Sequence, residues 1–273
     1  MENKVVLITG ASAGIGLSAA IQLINRGAKV YAASRRGGIA QKAGNGHGEL
    51  IHVKMDVNRE EEIASVVQQI VNENKRLDAV ICNAGNGIAG SIEDTSAEET
   101  RYQLETNFFG AVKTIQACIP VFRSQGYGKI IATSSVAGMV PIPFQAFYSA
   151  GKAALITFMQ ALSIELKPFG IQCCTVLPGD TKTEFTAARK YTAKSQLPES
   201  VYASKMNTSV KKMEHDEQNG MEASDVAAAM VKQVYAKRMK PQVVPGFQYQ
   251  VICALFKILP VRVSLWIVGL LYG

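Results

Sequence analysis

The sequence predicts an α/β protein built as a single doubly wound, Rossmann-type parallel sheet, with helices on both faces and a C-terminal helical extension. Three observations carry that expectation. Short apolar, β-branched runs alternate with stretches of helical periodicity between residues 5 and 177. A glycine-rich turn, Gly10-Ala11-Ser12-Ala13-Gly14-Ile15-Gly16, follows the first strand and opens a helix. Ser134-Ser135 closes a later strand, and the next helix carries Tyr148 and Lys152 four residues apart, one turn above the other on one face.

Taken in order, Val5 to Thr9 reads as a buried strand, and the helix after the glycine turn runs to about Arg26. Glycines at 10, 14 and 16 permit a tight turn, close backbone approach and a helix amino terminus aimed at a phosphate. Lys29 to Ser34 is the second strand, ending in Ser34-Arg35-Arg36. In a doubly wound fold this strand end faces the adenosine ribose, where an acidic residue would take the 2′-hydroxyl. Two arginines without an acid favour a 2′-phosphate, hence NADP(H) in preference to NAD(H). Residues 37–48 contain five glycines and read as a loose loop.

Leu50 to Val57 alternates as a strand, and Asn58 with Glu61 marks a capped helix to about Asn74. Leu77 to Cys82 is the fourth strand, closed by Asn83-Ala84-Gly85. Ser96 with Glu99 opens a helix that continues past Asn107 to about Arg123. Lys129 to Thr133 is a strand, residues 145–167 a helix, and Ile171 to Leu177 a strand ended by Pro178-Gly179. From Asp180 to Met221 the chain turns polar, with no clear strand, and is placed to cover a ligand. Ser224 to Arg238 reads as an amphipathic helix, and Gln242 to Val244 as a short strand. One domain is expected over residues 1–246, with 180–222 as its substrate-covering excursion and 247–273 as an apolar extension.

In that extension Phe256, Leu259, Val263, Trp266 and Leu270 keep a 3-4-3-4 spacing across Pro260. The commonest cause of such a stripe is packing on the domain's own surface. A substrate lid, a subunit contact or a membrane-surface helix share the remainder. Lys257 and Arg262 interrupt the apolar runs, so no segment reaches the roughly twenty residues a spanning helix needs.

The chain has 273 residues, 48% hydrophobic and 19% charged, with a formal charge of +7. Its basic residues are dispersed without an aromatic-interleaved patch, which argues against nucleic acid. Five cysteines without CxxC spacing and three scattered histidines argue for buried free thiols and against a metal site. The start moves straight into a strand with no signal-peptide pattern, so a cytoplasmic protein is expected.

A hydroxyl, a phenol and an ammonium near one strand end suit proton transfer to or from an alcohol or carbonyl oxygen. A free tyrosine near pKa 10 is a poor base at neutrality, and a lysine one turn away is expected to lower it. Ser135 could hold the substrate oxygen as charge develops there.

Together these motifs resemble the short-chain dehydrogenase/reductase family over at least residues 4–185. Thr9 to Gly16 matches that family's TGxxxGIG loop, and Asp56-Val57, Asn83-Ala84-Gly85, Asn107, Ser135, Tyr148, Lys152, Pro178-Gly179 and Thr183 follow in its order and spacing. The resemblance implies Tyr148 as general acid/base and Ser135 as the group polarising the substrate oxygen. It implies Lys152 on the nicotinamide ribose and Asn107 holding a relay water. Ser12 and Ile15 would lie in the cofactor loop, Asp56 and Val57 at the adenine, and Thr183 at the nicotinamide end. Pro178, Gly179 and Thr181 complete the implied cofactor set. Cys82 replaces the asparagine common before NAG, and Ala13 stands where some NADP-preferring members carry a basic residue.

Within the family, Asn107-Phe108-Phe109-Gly110, Pro141-Ile142-Pro143-Phe144 and Leu166-Lys167-Pro168-Phe169-Gly170 resemble the hydroxysteroid and retinol dehydrogenase branch. That implies a bulky apolar alcohol or ketone substrate and a homo-oligomer, dimer or tetramer. A 3-oxoacyl thioester or retinal-type carbonyl, and a non-catalytic NADP(H)-binding sensor, are the alternatives.

Overall fold

The computed structural model describes residues 3–37 and 48–273, together with the backbone of 41–42. Most of the loop expected at 37–48, including His47, lies outside the described residues. Seven strands form the parallel part of one sheet: β1 (Val5–Thr9), β2 (Lys29–Ser34), β3 (Glu49–Lys54), β4 (Ala79–Cys82), β5 (Gly128–Thr133), β6 (Ile171–Val176) and β7 (Gln242–Val243). They lie in the order β7-β6-β5-β4-β1-β2-β3, and the two-residue strand Gln41–Lys42 pairs antiparallel at the β3 edge. The chain winds outward from β1 to β3, then crosses to β4 on the other side of β1. The carboxyl ends of β1 and β4 therefore flank a topological switch point, where open α/β sheets bind ligands.

The five central strands are buried on both faces, as parallel strands must be when helices cover each side. Leu7, Tyr31, Val80, Ile130 and Cys173 point to one face, under α2 (Glu60–Asn74), α4 (Gly110–Gln125) and α5 (Ala146–Glu165). Val6, Ile8, Val30, Ile81, Ile131 and Cys174 point to the other, under α1 (Gly14–Ile24) and α8 (Ala223–Tyr235). Cys173 and Cys174 thus face opposite sides, and all five cysteines are buried free thiols. The helix opened by Ser96 is α3 (Ala97–Leu104), with the expected capping box: Ser96 accepts from the Glu99 N–H, and Glu99 from the Ser96 N–H. It runs into α4 through a π-helical turn, Glu105–Phe109.

Three local expectations are corrected. Residue 59, not Asn58, precedes the first turn of α2, and no side chain caps it. The Asn58 N–H instead bonds Asp56 Oδ1 and Glu62 reaches back to the Asp56 N–H, so an Asx-type turn ends β3 early and sets the helix start. The polar excursion is also more ordered than its composition implies. Besides α6 (Glu184–Ala187) it holds a sixteen-residue helix, α7 (Ala203–Gln218), and two-residue strand pairings of Lys190-Tyr191 with Ile88-Ala89 and of Thr181-Lys182 with Met221-Glu222. Only Met206, Ser209, Val210 and Met213 of α7 are buried, a stripe too thin to stand out against its charged residues.

The third correction concerns the extension, which forms α9 (Phe247–Ile258) and α10 (Val261–Tyr272). Leu259 and Pro260 between them are extended, both with ψ 140°. That break resets the helical phase, so of the expected stripe Phe256 packs against the inner cluster while its α10 members do not. Tyr249, Cys253, Ser264 and Val268 turn inward, whereas Val263, Trp266 and Leu270 are exposed.

Candidate active site

The glycine turn sits at the switch point and is packed from both sides. Gly10 (φ +65°) approaches Ala84 so closely that a Cβ would lie 2.7 Å from its Cα. Gly14 (φ +53°) faces the Thr183 side chain at 3.3 Å on the same measure. Any other residue at these two positions would be strained in both backbone and space. Thr9 Oγ1 accepts from the N–H groups of Asn83 and Ala84, each at 3.0 Å. The Asn83 amide donates to the Thr9 and Gly10 carbonyls and accepts from Thr133 Oγ1. Asn83 therefore knits together the ends of β1, β4 and β5, a bracing role.

At the end of β2, the Gly37 N–H closes a turn onto the Ser34 carbonyl at 3.3 Å and presents Arg35 and Arg36 exposed. Ser34 is 7% exposed, and its hydroxyl has no hydrogen-bond partner among the described residues. An orphaned hydroxyl beside two outward guanidiniums fits a phosphorylated ribose, so these three residues, with the glycine turn, suit the adenosine half of a dinucleotide. Asp56 and Val57 lie on the neighbouring strand end, where the Met55 N–H bonds the Ser34 carbonyl. Val57 is buried against Gly110, and the Asp56 carboxylate takes the Asn58 N–H.

Beyond β5, Ser135 caps a 3₁₀ turn (Val136–Gly138), accepting from the Ala137 N–H at 3.1 Å. The Pro178 carbonyl receives the Val136 N–H at 2.9 Å and lies 3.4 Å from Ser135 Oγ, tying this turn to the end of β6. The first turns of α5 bring Tyr148 and Lys152 to the same place. The Ser135 hydroxyl lies near enough to the Tyr148 phenol to favour its ionised form. Lys152 Nζ stands 5.6 Å above the Tyr148 ring centroid and donates to the Thr133 carbonyl at 2.9 Å. Asn107, 1% exposed in the π-turn, donates its amide to Asn86 and to the Gln103 carbonyl. A Cβ on Gly85 would lie between Asn107 Oδ1 at 2.9 Å and Lys152 Nζ at 3.7 Å, so these two groups share one wall.

Burial dominates the electrostatics. Loss of water around the phenolate pushes Tyr148 up to about 12; the Ser135 hydroxyl opposes this, Glu217 adds to it, and Arg189 opposes it again. The direction is opposite to that expected from the lysine one turn away. Lys152 is itself brought down to about 8 by burial, and its charge does not offset the desolvation of Tyr148. At neutral pH the tyrosine is a protonated phenol.

Several side chains around this cluster escaped sequence reasoning. The Phe185 ring tilts against Tyr148 with centroids 5.8 Å apart, and Arg189 stacks on Phe185 at 5.9 Å. The fully buried Arg189 side chain pairs with Glu217 and lies 3.5 Å from Glu214. Thr186 Oγ1 donates to Glu217 at 2.6 Å, and the Tyr191 hydroxyl to Glu214 at 2.7 Å. This network fastens α7 over Tyr148 through residues that are close only in space. Thr183 caps α6 by accepting from the Phe185 N–H, while Thr181 donates to the Gly179 carbonyl. Gly179 packs against the Tyr249 ring.

A glycine turn at the switch point of a doubly wound sheet, with a serine, a protonated tyrosine and a buried lysine beside it, defines a nucleotide-binding fold equipped to exchange a proton with a substrate oxygen. The chain belongs to the short chain dehydrogenase family, whose model matches residues 4–194. A 3-ketodihydrosphingosine reductase of Bacteroides thetaiotaomicron is 38% identical over 237 residues, 87% of this chain and 86% of that protein. Human 17-beta-hydroxysteroid dehydrogenase type 1 is 32% identical over 195 residues, 68% of this chain and 59% of that protein. Among solved structures, a short-chain dehydrogenase from Streptomyces avermitilis superposes with a TM-score of 0.79 at 25% identity, covering 93% of this chain and 91% of its own. One from Burkholderia cenocepacia, in complex with NADP, gives 0.72 at 25% identity, covering 97% and 96%. The protein is thus an oxidoreductase of this family.

Proposed function

We propose that the protein is an NADP(H)-dependent oxidoreductase that moves a hydride between the nicotinamide and a secondary alcohol or ketone carbon of a bulky, apolar molecule. The observation that supports this best is the convergence of Ser135, Tyr148 and Lys152 beside the glycine turn. The bound nicotinamide supplies or accepts the hydride. In the reducing direction Tyr148, protonated at neutral pH, donates its proton to the substrate oxygen as negative charge develops there. The Ser135 hydroxyl holds that oxygen, and Lys152 holds the ribose while anchored to the Thr133 carbonyl. The amide hydrogens of Asn107 are engaged by Asn86 and Gln103, which fixes the residue in that wall, where it would hold the relay water through an acceptor oxygen.

NADP(H) is favoured by the orphaned Ser34 hydroxyl and by Arg35 and Arg36, which have no acidic partner among the described residues. An apolar substrate is favoured by the cluster Met206, Val210 and Met213 with Ile142 and Phe144 beside the start of α5. A hydroxysteroid fits this reading. A second reading, a long-chain 3-keto lipid, is favoured by the similarity along nearly the whole length to a 3-ketodihydrosphingosine reductase. It would act in the cytoplasm as a dimer or tetramer, as expected from the sequence.

The test is a panel of steroid ketones, long-chain 3-keto amines, 3-oxoacyl thioesters and retinal, with NADPH and NADH oxidation followed by absorbance. Turnover of an apolar ketone with NADPH is expected. Turnover only of small polar carbonyls, or a preference for NADH, would overturn the reading.

A further inference from the structure

We propose that α9 and α10 dock the protein onto the surface of an anionic lipid bilayer, the outer face of α10 among the acyl chains and Lys257 and Arg262 at the headgroups. Of the twelve residues of α10, only Ser264 and Val268 are buried. Val261 (73%), Leu265 (52%), Trp266 (64%) and Leu270 (66%) stand in solvent, joined by Phe247 (80%) and Ile258 (77%) of α9. A soluble protein rarely leaves so many large apolar side chains exposed on one short segment without a partner for them.

The length and charge of the segment select the occupant. Twelve helical residues span about 18 Å, well short of a hydrocarbon core of about 30 Å, so α10 can lie in the interface but not cross it. Lys257 and Arg262 are the only charged residues in 247–273, and no Asp or Glu follows Asp225. A second copy meeting this face about a two-fold axis would bring those cations together with no acid of the segment to pair them. An anionic headgroup layer pairs both.

The mount is firm. Lys212 of α7 donates to the Leu271 carbonyl at 2.7 Å and stacks on Tyr272 at 5.4 Å, and the Tyr272 hydroxyl donates to Asp216 at 3.1 Å. The Tyr249 hydroxyl fixes α9 to Asp180 at 3.0 Å. Helix α7 also carries Glu214 and Glu217, which hold the cover over Tyr148, so the docking face and the substrate cover hang from one helix.

Trp266 is the single tryptophan of the chain and stands at the centre of the proposed contact. Full-length protein is titrated with vesicles of phosphatidylcholine alone and of phosphatidylcholine mixed with phosphatidylglycerol. A blue shift of Trp266 emission and its quenching by brominated acyl chains are expected, with binding roughly tenfold or more tighter on the anionic vesicles. Trp266→Ser/Leu270→Ser should cut vesicle co-sedimentation by at least about tenfold, and Lys257→Gln/Arg262→Gln should abolish the anionic preference. All four side chains are exposed, so thermal melts of both variants should match the wild type. Absence of shift and quenching on both vesicle types would overturn the proposal. So would undiminished sedimentation of the Trp266→Ser/Leu270→Ser variant, or a blue shift that grows with protein concentration without lipid, the signature of a second copy on this face.

Discussion

Replacing Lys152 by Met in the cofactor-free protein isolates the cost of burying its ammonium. Burial holds the lysine at about 8 in the folded protein, against 10.5 as its usual value. Between those limits the unfolded chain keeps a proton that the folded one has released, so stability rises with pH. The group's full contribution is present above about 10.5 and is lost as pH falls through about 8. The window spans ~2.5 pH units, worth about 3 kcal/mol at 1.36 kcal/mol per unit. Lys152 is only 4% exposed, so solvent screening takes little from that figure. Methionine fills similar volume but loses the 2.9 Å bond to the Thr133 carbonyl, which lowers the whole curve without giving it a slope. The assay is urea unfolding of both proteins at steps from pH 7 to 10.5, subtracting the variant from the wild type so that the other titrating groups cancel. The difference should be flat below about pH 8 and then climb by about 3 kcal/mol. A difference curve that stays flat throughout, or falls, would refute the claim that desolvation rather than ion pairing governs this site.

Other expectations are simpler to state. Tyr148→Phe keeps the ring against Phe185 and removes the transferable proton, so turnover should fall roughly 10²–10⁴-fold while NADPH binding, read by fluorescence titration, persists. Arg35→Ala/Arg36→Ala should raise the KM for NADPH roughly 10- to 150-fold and leave that for NADH nearly unchanged, as loss of charge-assisted phosphate bonds requires; an unchanged NADPH preference in steady-state kinetics would reduce the pair to a solvated turn. Glu217→Ala strands the fully buried Arg189 guanidinium with Glu214 at 3.5 Å as its remaining acidic neighbour, and should cost about 3 kcal/mol in urea unfolding, whereas Glu217→Gln should recover part of it.

What could be read from the chain was local in origin. Strand periodicity, the glycine turn and the i, i+4 spacing of Tyr148 and Lys152 follow from backbone geometry within a few residues. The meeting of that pair with Ser135 follows in turn, because open α/β sheets gather their ligands at the carboxyl ends of the strands, whereas the strand order came from the structure. Ser96 and Glu99 formed their capping box for the same reason. Tertiary structure decided whatever depends on which atoms surround a group. The direction of the Tyr148 shift is set by the protein packed around it, and a lysine four residues away in sequence does not reveal how much water that packing removes. Phe185, Arg189, Glu214 and Glu217 carry no motif, and they meet only because α7 folds back over α6. In the extension, nearly every residue is apolar, so hydrophobicity cannot say which side faces inward. The extended pair Leu259-Pro260 then breaks the phase on which the stripe depended, and Tyr249, Cys253 and Val268 became the packed face because that is where the domain surface met them.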